Sequence, residues 1–453
     1  MRQNINLTEG NISKSLTILA LPIMGTSLIN MLYNLTDMMW LGRLSTDAVA
    51  GAGTVGFFLW FGMGLVAISQ IGVGVGVSQS YGRDDIDGVK SFISNAIKLD
   101  LFIAIIYSLS LLIFRHKVIG FFTLGDPKVV QMALDYLVIV SFGLVFHFIN
   151  PVFSGIFNAS GNSFTPFVIN SVGLIVNIVL DPLLIFGVGP FPRMEIKGAA
   201  LATVLAQVVV TIIFIIAARK NKPLFSDLNL LKLPELKYIK KITKLGVPAF
   251  MQIAMHSGIG MVIARILSGW GPMAIAVQSI GSQIESISWM TAEGFSTAIS
   301  TFVGQNYGAK NYDRVKEGYY KGLRIVCTIG LVTTALFIFG AEPIFKIFIK
   351  DDPTALKEGI IYLRILGLSQ IFMCAEIAST GAFNGIGRTH QPAISGITFN
   401  ALRIPGALLL SSTALGLSGI WWSISISSMF KGIILTLLCM YTLKKGIHEK
   451  EML

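Results

Sequence analysis

Charged residues are scarce in this chain. Asp, Glu, Lys and Arg make up 13% of its 453 residues, against about 25% in soluble globular domains. Hydrophobic residues reach 53% and mean hydropathy is +0.71. That balance excludes a water-soluble fold and leaves an integral membrane protein with most of its length in the bilayer. Cysteine is nearly absent. Cys327, Cys374 and Cys439 each sit inside an apolar run, and no CxxC pair occurs. A disulfide framework and a thiolate metal centre are thereby excluded. The five histidines, at 116, 147, 256, 390 and 448, are scattered, and HExxH, GxSxG and Walker A motifs are missing. The chain is therefore expected to be no enzyme and to hold no cofactor, with any transport work driven by an ion gradient. Met1–Lys14 is polar, and the apolar run behind it is too long for the core of a leader, so no cleavable signal is expected.

Apolar length is what the chain has in quantity. Twelve segments stand out: roughly 15–41, 52–78, 93–114, 132–157, 164–187, 198–218, 245–267, 274–303, 318–340, 356–384, 391–413 and 417–443. Each matches or exceeds the roughly 20 residues needed to cross a ~30 Å hydrocarbon layer. Proline or glycine interrupts several, at Pro22, Gly72, Gly74, Gly76, Pro151, Pro182 and Pro405. Membrane helices tolerate such breaks where neighbours or cavity water satisfy the freed backbone groups. An even number of spans puts both ends on one side. Loops on that side carry 20 Lys and Arg, eight of them within 219–244, and the opposite loops carry nine. The positive-inside rule then places both termini in the cytoplasm of a multi-pass plasma-membrane protein. The net charge of +11 is read as a topology signal, with the basic 219–244 linker against anionic membrane lipid, and not as a nucleic-acid surface.

The chain repeats itself at an offset of 226 residues. Pro22 meets Pro248, Ala48 meets Ala274, and VSQSYG, ending at Gly82, meets VGQNYG, ending at Gly308. Further on, Phe157–Asn158 meets Phe383–Asn384, Gly161 meets Gly387 and Pro166 meets Pro392. One ungapped offset held over so long a stretch predicts two six-helix lobes, 1–218 and 245–453, joined by the 219–244 linker. Six helices followed by six make a parallel repeat about an axis along the membrane normal, with a binding site expected between the halves.

The repeat is most informative where it fails. The segment Leu16–Leu41 carries one charge, Asp37, and the sixth segment carries Asp181 in NIVLDP. Their second-half counterparts are Ile263, at the 226 offset, and Ile404 of NALRIP, after a three-residue slip. A carboxylate at mid-helix disfavours insertion by roughly 2.5–3.5 kcal/mol, so it normally faces a partner or a watery cavity. Counting along the helices puts Asp37, Asp181 and Thr203 at a similar depth in the outer part of the bilayer. Asn177 lies one turn below Asp181, and Tyr33 and Asn34 one turn below Asp37. Two carboxylates, an amide and a hydroxyl suit a hard cation such as Na⁺. A close carboxylate pair in a dry site equally suits proton exchange. Headgroup-wetted helix ends are the plain alternative for both acids. Pro22, 15 residues before Asp37, is a candidate hinge that could move that segment when the aspartate changes charge.

The second half has acids of its own, Glu285, Glu293 and Glu376, together with His256. Glu285 and Glu293 share a helical face. These residues could form a second proton site, contact a cationic substrate, or pair structurally with a carbonyl or Arg403. The 17 Met and 30 Phe are core or lipid-facing in the main, though soft methionines also suit promiscuous binding of flat organic molecules.

Pro22, YNLTD, LGRL, VSQSYG with VGQNYGA, NIVLDPLLIFG and GAALATVLAQ occur in that setting and order. In this the chain resembles the multidrug and toxic compound extrusion (MATE) family over nearly its whole length. The resemblance implies twelve helices in two pseudo-symmetric lobes forming a V. It implies an antiporter, working as a monomer, that exports small organic, often cationic compounds against an inward Na⁺ or H⁺ gradient. It also implies that the cation site is built from Asp37, Asn177, Asp181 and Thr203, with Asp37 and Asp181 as the Na⁺ candidates. The norfloxacin-exporter branch carries an acid in helix seven where this chain has His256, which points to coupling through the first lobe, as in the DinF-like branch. The rival reading is a flippase for lipid-linked oligosaccharides. It would need a cationic cleft, and the basic candidates are Arg265, Arg364 and Arg403, with Lys98, Arg324 and Lys431 expected near helix ends.

Overall fold

A backbone surrounded by hydrocarbon has no water to bond, so each spanning stretch closes its hydrogen bonds within itself. The computed structural model describes residues 5–226, 228, 230, 232–349 and 352–446. The loop cations Arg2, Lys350 and Lys450 lie outside the described residues, as do the first four residues of the polar lead. Among the described residues every regular element is a helix. The first half holds α1 (Ile12–Leu44), α2 (Thr46–Gly82), α3 (Ile86–Ile113), α4 (Arg115–Gly120), α5 (Pro127–Ala159), α6 (Phe164–Phe186) and α7 (Ile196–Lys220). The linker contributes the short α8 (Lys222–Phe225). The second half holds α9 (Leu236–Ser268), α10 (Pro272–Gly308), α11 (Tyr312–Phe339), α12 (Ala341–Lys346), α13 (Pro353–Gly367), α14 (Gln370–Gly385), α15 (His390–Ala401), α16 (Arg403–Ser411) and α17 (Leu417–Lys445).

Ten helical stretches among the described residues are long and apolar enough to cross a membrane, and α13 with α14, bent by 47° at their junction, make an eleventh. The sequence predicts a twelfth at 274–303, which is α10. It is a helix of 37 residues, as long as α2. Gln278, Gln283, Glu285, Glu293 and the serines between them lower its apolar content below that of the other spans.

The repeat is written into the helix lengths. Helices α2 and α10 have 37 residues each, α3 and α11 have 28, and α4 and α12 have 6. The turns repeat as well: Asp84 and Lys310 are both left-handed, at φ 57° and 62°, and Gly161 and Gly387 at 86° and 80°. The halves part company in their later helices. The unbroken α5 has a counterpart split into α13 and α14, where the Ser369 hydroxyl donates to the freed Leu366 carbonyl at 2.8 Å. The unbroken α6 has a counterpart split into α15 and α16. There Pro405 lacks an N–H and crowds the carbonyl four residues back, at Ala401, the last residue of α15.

The chain divides into two compact units. The first takes in Ile5 and Gly25–Val247, and the second takes in Asn6–Met24 and the chain from Pro248 onward. The division falls inside α1, two residues after Pro22, and inside α9, at Pro248.

Glycines allow close helix approach in the first unit, and two of them bear on the placement of the acids. A Cβ on Gly25 would lie 2.5 Å from the Phe167 ring, so that ring of α6 seats directly against the bare backbone of α1. Both helices then run on in the same direction for about a dozen residues, which brings Asp37 and Asp181 to one level. A Cβ on Gly198 would lie 2.5 Å from the Leu184 carbonyl, so α7 starts hard against the end of α6. The loop between them is tied back, with the Met194 and Glu195 amides donating to the Leu184 and Ile185 carbonyls at 3.0 Å each. Without a hydrophobic force between helices in lipid, such small-residue contacts hold the bundle together.

Candidate functional site: a carboxylate pair in the first unit

Asn177 and Asp181 sit one turn apart on the buried face of α6, and neither exposes any surface. The Asn177 amide donates to Oδ1 of Asp181 at 3.4 Å. Asp37 reaches the same place from α1, within side-chain hydrogen-bonding range of Asp181, Asn177 and Thr203. The Thr203 hydroxyl shares its one proton between Oδ2 of Asp37 at 3.2 Å and its own Ala199 carbonyl at 3.0 Å. Three helices thus bring together the four residues that the sequence singles out. Of the oxygens they present, Oδ1 of Asp37, Oδ2 of Asp181 and Oδ1 of Asn177 are buried and accept no hydrogen bond. Burying such oxygens unsatisfied is strongly unfavourable. A small hard cation or a proton would satisfy them.

Around this group the structure adds tyrosines. The Tyr33 hydroxyl is buried near Gln207 and feels both carboxylates. Tyr136 on α5, which the sequence does not mark, is buried against the same two carboxylates and within reach of Thr203. Asn34 does not join the group. It is exposed, and its amide donates to the Asn30 carbonyl of its own helix at 3.0 Å. Pro22 lies inside α1, which runs unbroken through it.

The acids of the second unit form a different arrangement. Glu376 is 5% exposed and ion-paired to Lys431 at 3.1 Å. Lys431 is not near a helix end, as the sequence suggests, but midway along α17. Arg403 donates to the Ser427 and Ser428 hydroxyls at 2.8 and 2.9 Å. Glu285 is half-buried beside Tyr362, Gln370 and Arg403, with one oxygen accepting no hydrogen bond. Glu293 is exposed and lies near Glu376. His256 is exposed, with Nδ1 3.3 Å from the Asn400 amide nitrogen. Among the described residues, no group of three or more His, Cys, Asp or Glu could hold a metal ion.

These observations define a class: a multi-pass helical membrane protein built on a repeated helix order, with a buried pair of aspartates among the described residues of the first repeat and a buried Glu–Lys ion pair in the second. The chain belongs to the MatE family, whose model matches residues 22–183 and again residues 248–409. The second match begins 226 residues after the first, the offset read from the sequence. Members of this family are transporters and not enzymes. One curated relative, the probable multidrug resistance protein NorM of Thermotoga maritima, is 30% identical over 431 residues, spanning 93% of this chain and 91% of the relative. Another, an FAD transporter of Shewanella oneidensis, is 25% identical, spanning 96% of this chain and 95% of the relative. The crystal structure of a MATE protein in a bent conformation superimposes with a TM-score of 0.90 at 22% identity, covering 97% of each chain.

Proposed function

We propose that this protein is a cation-coupled antiporter that exports small organic, often cationic compounds by alternating access. The observation that carries the reading is the group Asp37–Asp181–Asn177–Thr203, with three buried oxygens that accept no hydrogen bond. An external Na⁺ or H⁺ binds the two carboxylates, and the loaded first unit favours release of the compound. The emptied protein returns, gives up the cation inside and reloads. The cation must bind the releasing state better than the compound-bound state, or no coupling results. Export of unrelated compounds fits the multidrug description of the Thermotoga maritima relative. The protein works as a monomer in the plasma membrane with both termini cytoplasmic, and its coupling runs through the first unit, as in the DinF-like branch.

The flippase reading wants cations free to meet a pyrophosphate. In the second unit Lys431 is engaged by Glu376, and Arg403 is held by two serines with Glu285 nearby. The carboxylate pair therefore favours the antiporter.

The test is fluorescent-dye export from vesicles challenged separately with Na⁺ and with a pH jump. Asp37→Asn and Asp181→Asn should each abolish export while expression persists. Full export in both variants would refute the assignment, and the challenge that drives the wild type identifies the ion.

A further inference from the structure

A second buried acid in the first unit takes no part in that site. Asp100 lies near the middle of α3 and exposes no surface. Neither of its oxygens accepts a hydrogen bond. The polar group that faces it is the Ser69 hydroxyl of α2, also fully buried. One turn before Asp100 on the same face is Ala96, and one turn after it is Ala104, both fully buried.

No countercharge reaches it. Helices α2, α4, α5 and α8 pack on α3, and the start of α9, with Lys237, Tyr238, Lys240 and Lys241, meets it through Tyr238 against Phe92, two turns before Asp100. Their titratable side chains lie at other levels or on other faces. On α2, Asp47 is in the first turn and Tyr81 in the last. On α4, Arg115, His116 and Lys117 belong to the far end of α3. On α5, Lys128, Asp135 and Tyr136 are in its first three turns, and His147 precedes Phe148, which stacks on Tyr107 two turns away. Lys222 of α8 is beyond the near end. On α3 itself, Asp87 and Lys90 are at the start, Lys98 is turned about 200° from Asp100, and Tyr107 donates to the Phe58 carbonyl at 2.8 Å. None of these interacts with the Asp100 carboxyl.

A lone ion in such a place gives way to its neutral form. A metal cation would need a shell of oxygens, and here one hydroxyl is at hand while the backbone carbonyls are taken by their own helices. A proton needs only the carboxyl oxygen and one acceptor. We propose that Asp100 and Ser69 form a proton-binding site, distinct from the Asp37–Asp181 pair and filled in this conformation. Asp100 is a neutral acid whose O–H donates to Ser69 Oγ. Ionising it requires water to enter or α2 and α3 to part, so the proton at Asp100 is tied to the packing of the first unit. This holds whether or not Asp37 binds the coupling ion.

The experiment is infrared spectroscopy of the full-length protein in lipid at neutral pH, in water and in deuterium oxide. Asp100→Asn should remove one protonated-carboxyl band that Asp37→Asn and Asp181→Asn leave in place. Ser69→Ala should shift that band, because its acceptor is gone, and this arm stands even if Asp100→Asn fails to fold. An Asp100→Asn spectrum that keeps every protonated-carboxyl band, or a Ser69→Ala spectrum with no shift, overturns the proposal.

Discussion

The Thr203 hydroxyl of α7 donates to Oδ2 of Asp37 on α1 at 3.2 Å, across 166 positions of sequence. A hydrogen bond to a charged acceptor is worth about 1.5–3 kcal/mol. Thr203→Ala should therefore weaken the dependence of export on its coupling ion roughly tenfold to a hundredfold, read as the ion concentration giving half-maximal dye export. Thr203→Ser keeps the hydroxyl and should stay near wild type. Equal behaviour of the two variants would mean that the hydroxyl does not serve the ion.

The approach of α6 to α7 is as exacting as any polar contact in the group. A Cβ at Gly198 meets the Leu184 carbonyl at 2.5 Å, and backbone cannot swing aside as a side chain can. Gly198→Ala should lower stability by about 1–3 kcal/mol, the usual effect of overpacking, and reduce export by moving Thr203 away from Asp37. Thermal unfolding in detergent and dye export, measured on the same preparation, check both halves of the expectation.

Much of this was legible before any coordinates. Apolar length announces a membrane helix wherever it occurs, and the 226-residue repeat is marked by prolines and glycines whose backbone roles admit few substitutes. Helices α2 and α10, equal in length, follow from it. Asp37 and Asp181 were legible because the repeat supplies an internal control: their apolar counterparts mark them as added to a shared scaffold. What the sequence could not convey was partnership between distant helices. Nothing near Glu376 points to Lys431, and no local pattern shows that Asn34 turns to its own backbone at Asn30. Asp100 carries the same signal as Asp37, an acid inside an apolar run, but no second acid at matching depth marks it as part of a site. The unit boundaries inside α1 and α9 were hidden because one apolar helix looks alike on either side of them.

Pro22 removes one backbone hydrogen bond from α1 at the point where the helix passes from the second unit to the first. Pro22→Ala restores that bond and stiffens the segment leading to Asp37. We expect export to fall while binding of the dye to purified protein persists, since the substitution leaves all four residues of the candidate site in place. Fluorescence anisotropy of the dye and its export from vesicles separate the two. Unchanged export would remove the hinge from the proposed cycle.

The Glu376–Lys431 pair offers a test of what the second unit's charges are for. Both side chains are buried, at 3.1 Å, so each is tolerable only because of the other. Glu376→Gln leaves an ammonium ion uncompensated and should destabilise the protein by about 3–5 kcal/mol. Replacing both, Glu376→Gln with Lys431→Met, removes the stranded charge and should recover most of that loss, because a buried pair contributes little net stability over apolar packing. Thermal unfolding of the two single variants and the double in detergent measures the difference. Recovery of stability together with export would assign the pair to the architecture of α14 and α17. Recovery of stability without export would mean that a cargo or a proton uses Glu376 or Lys431 directly, and the coupling would then have to be sought in both units.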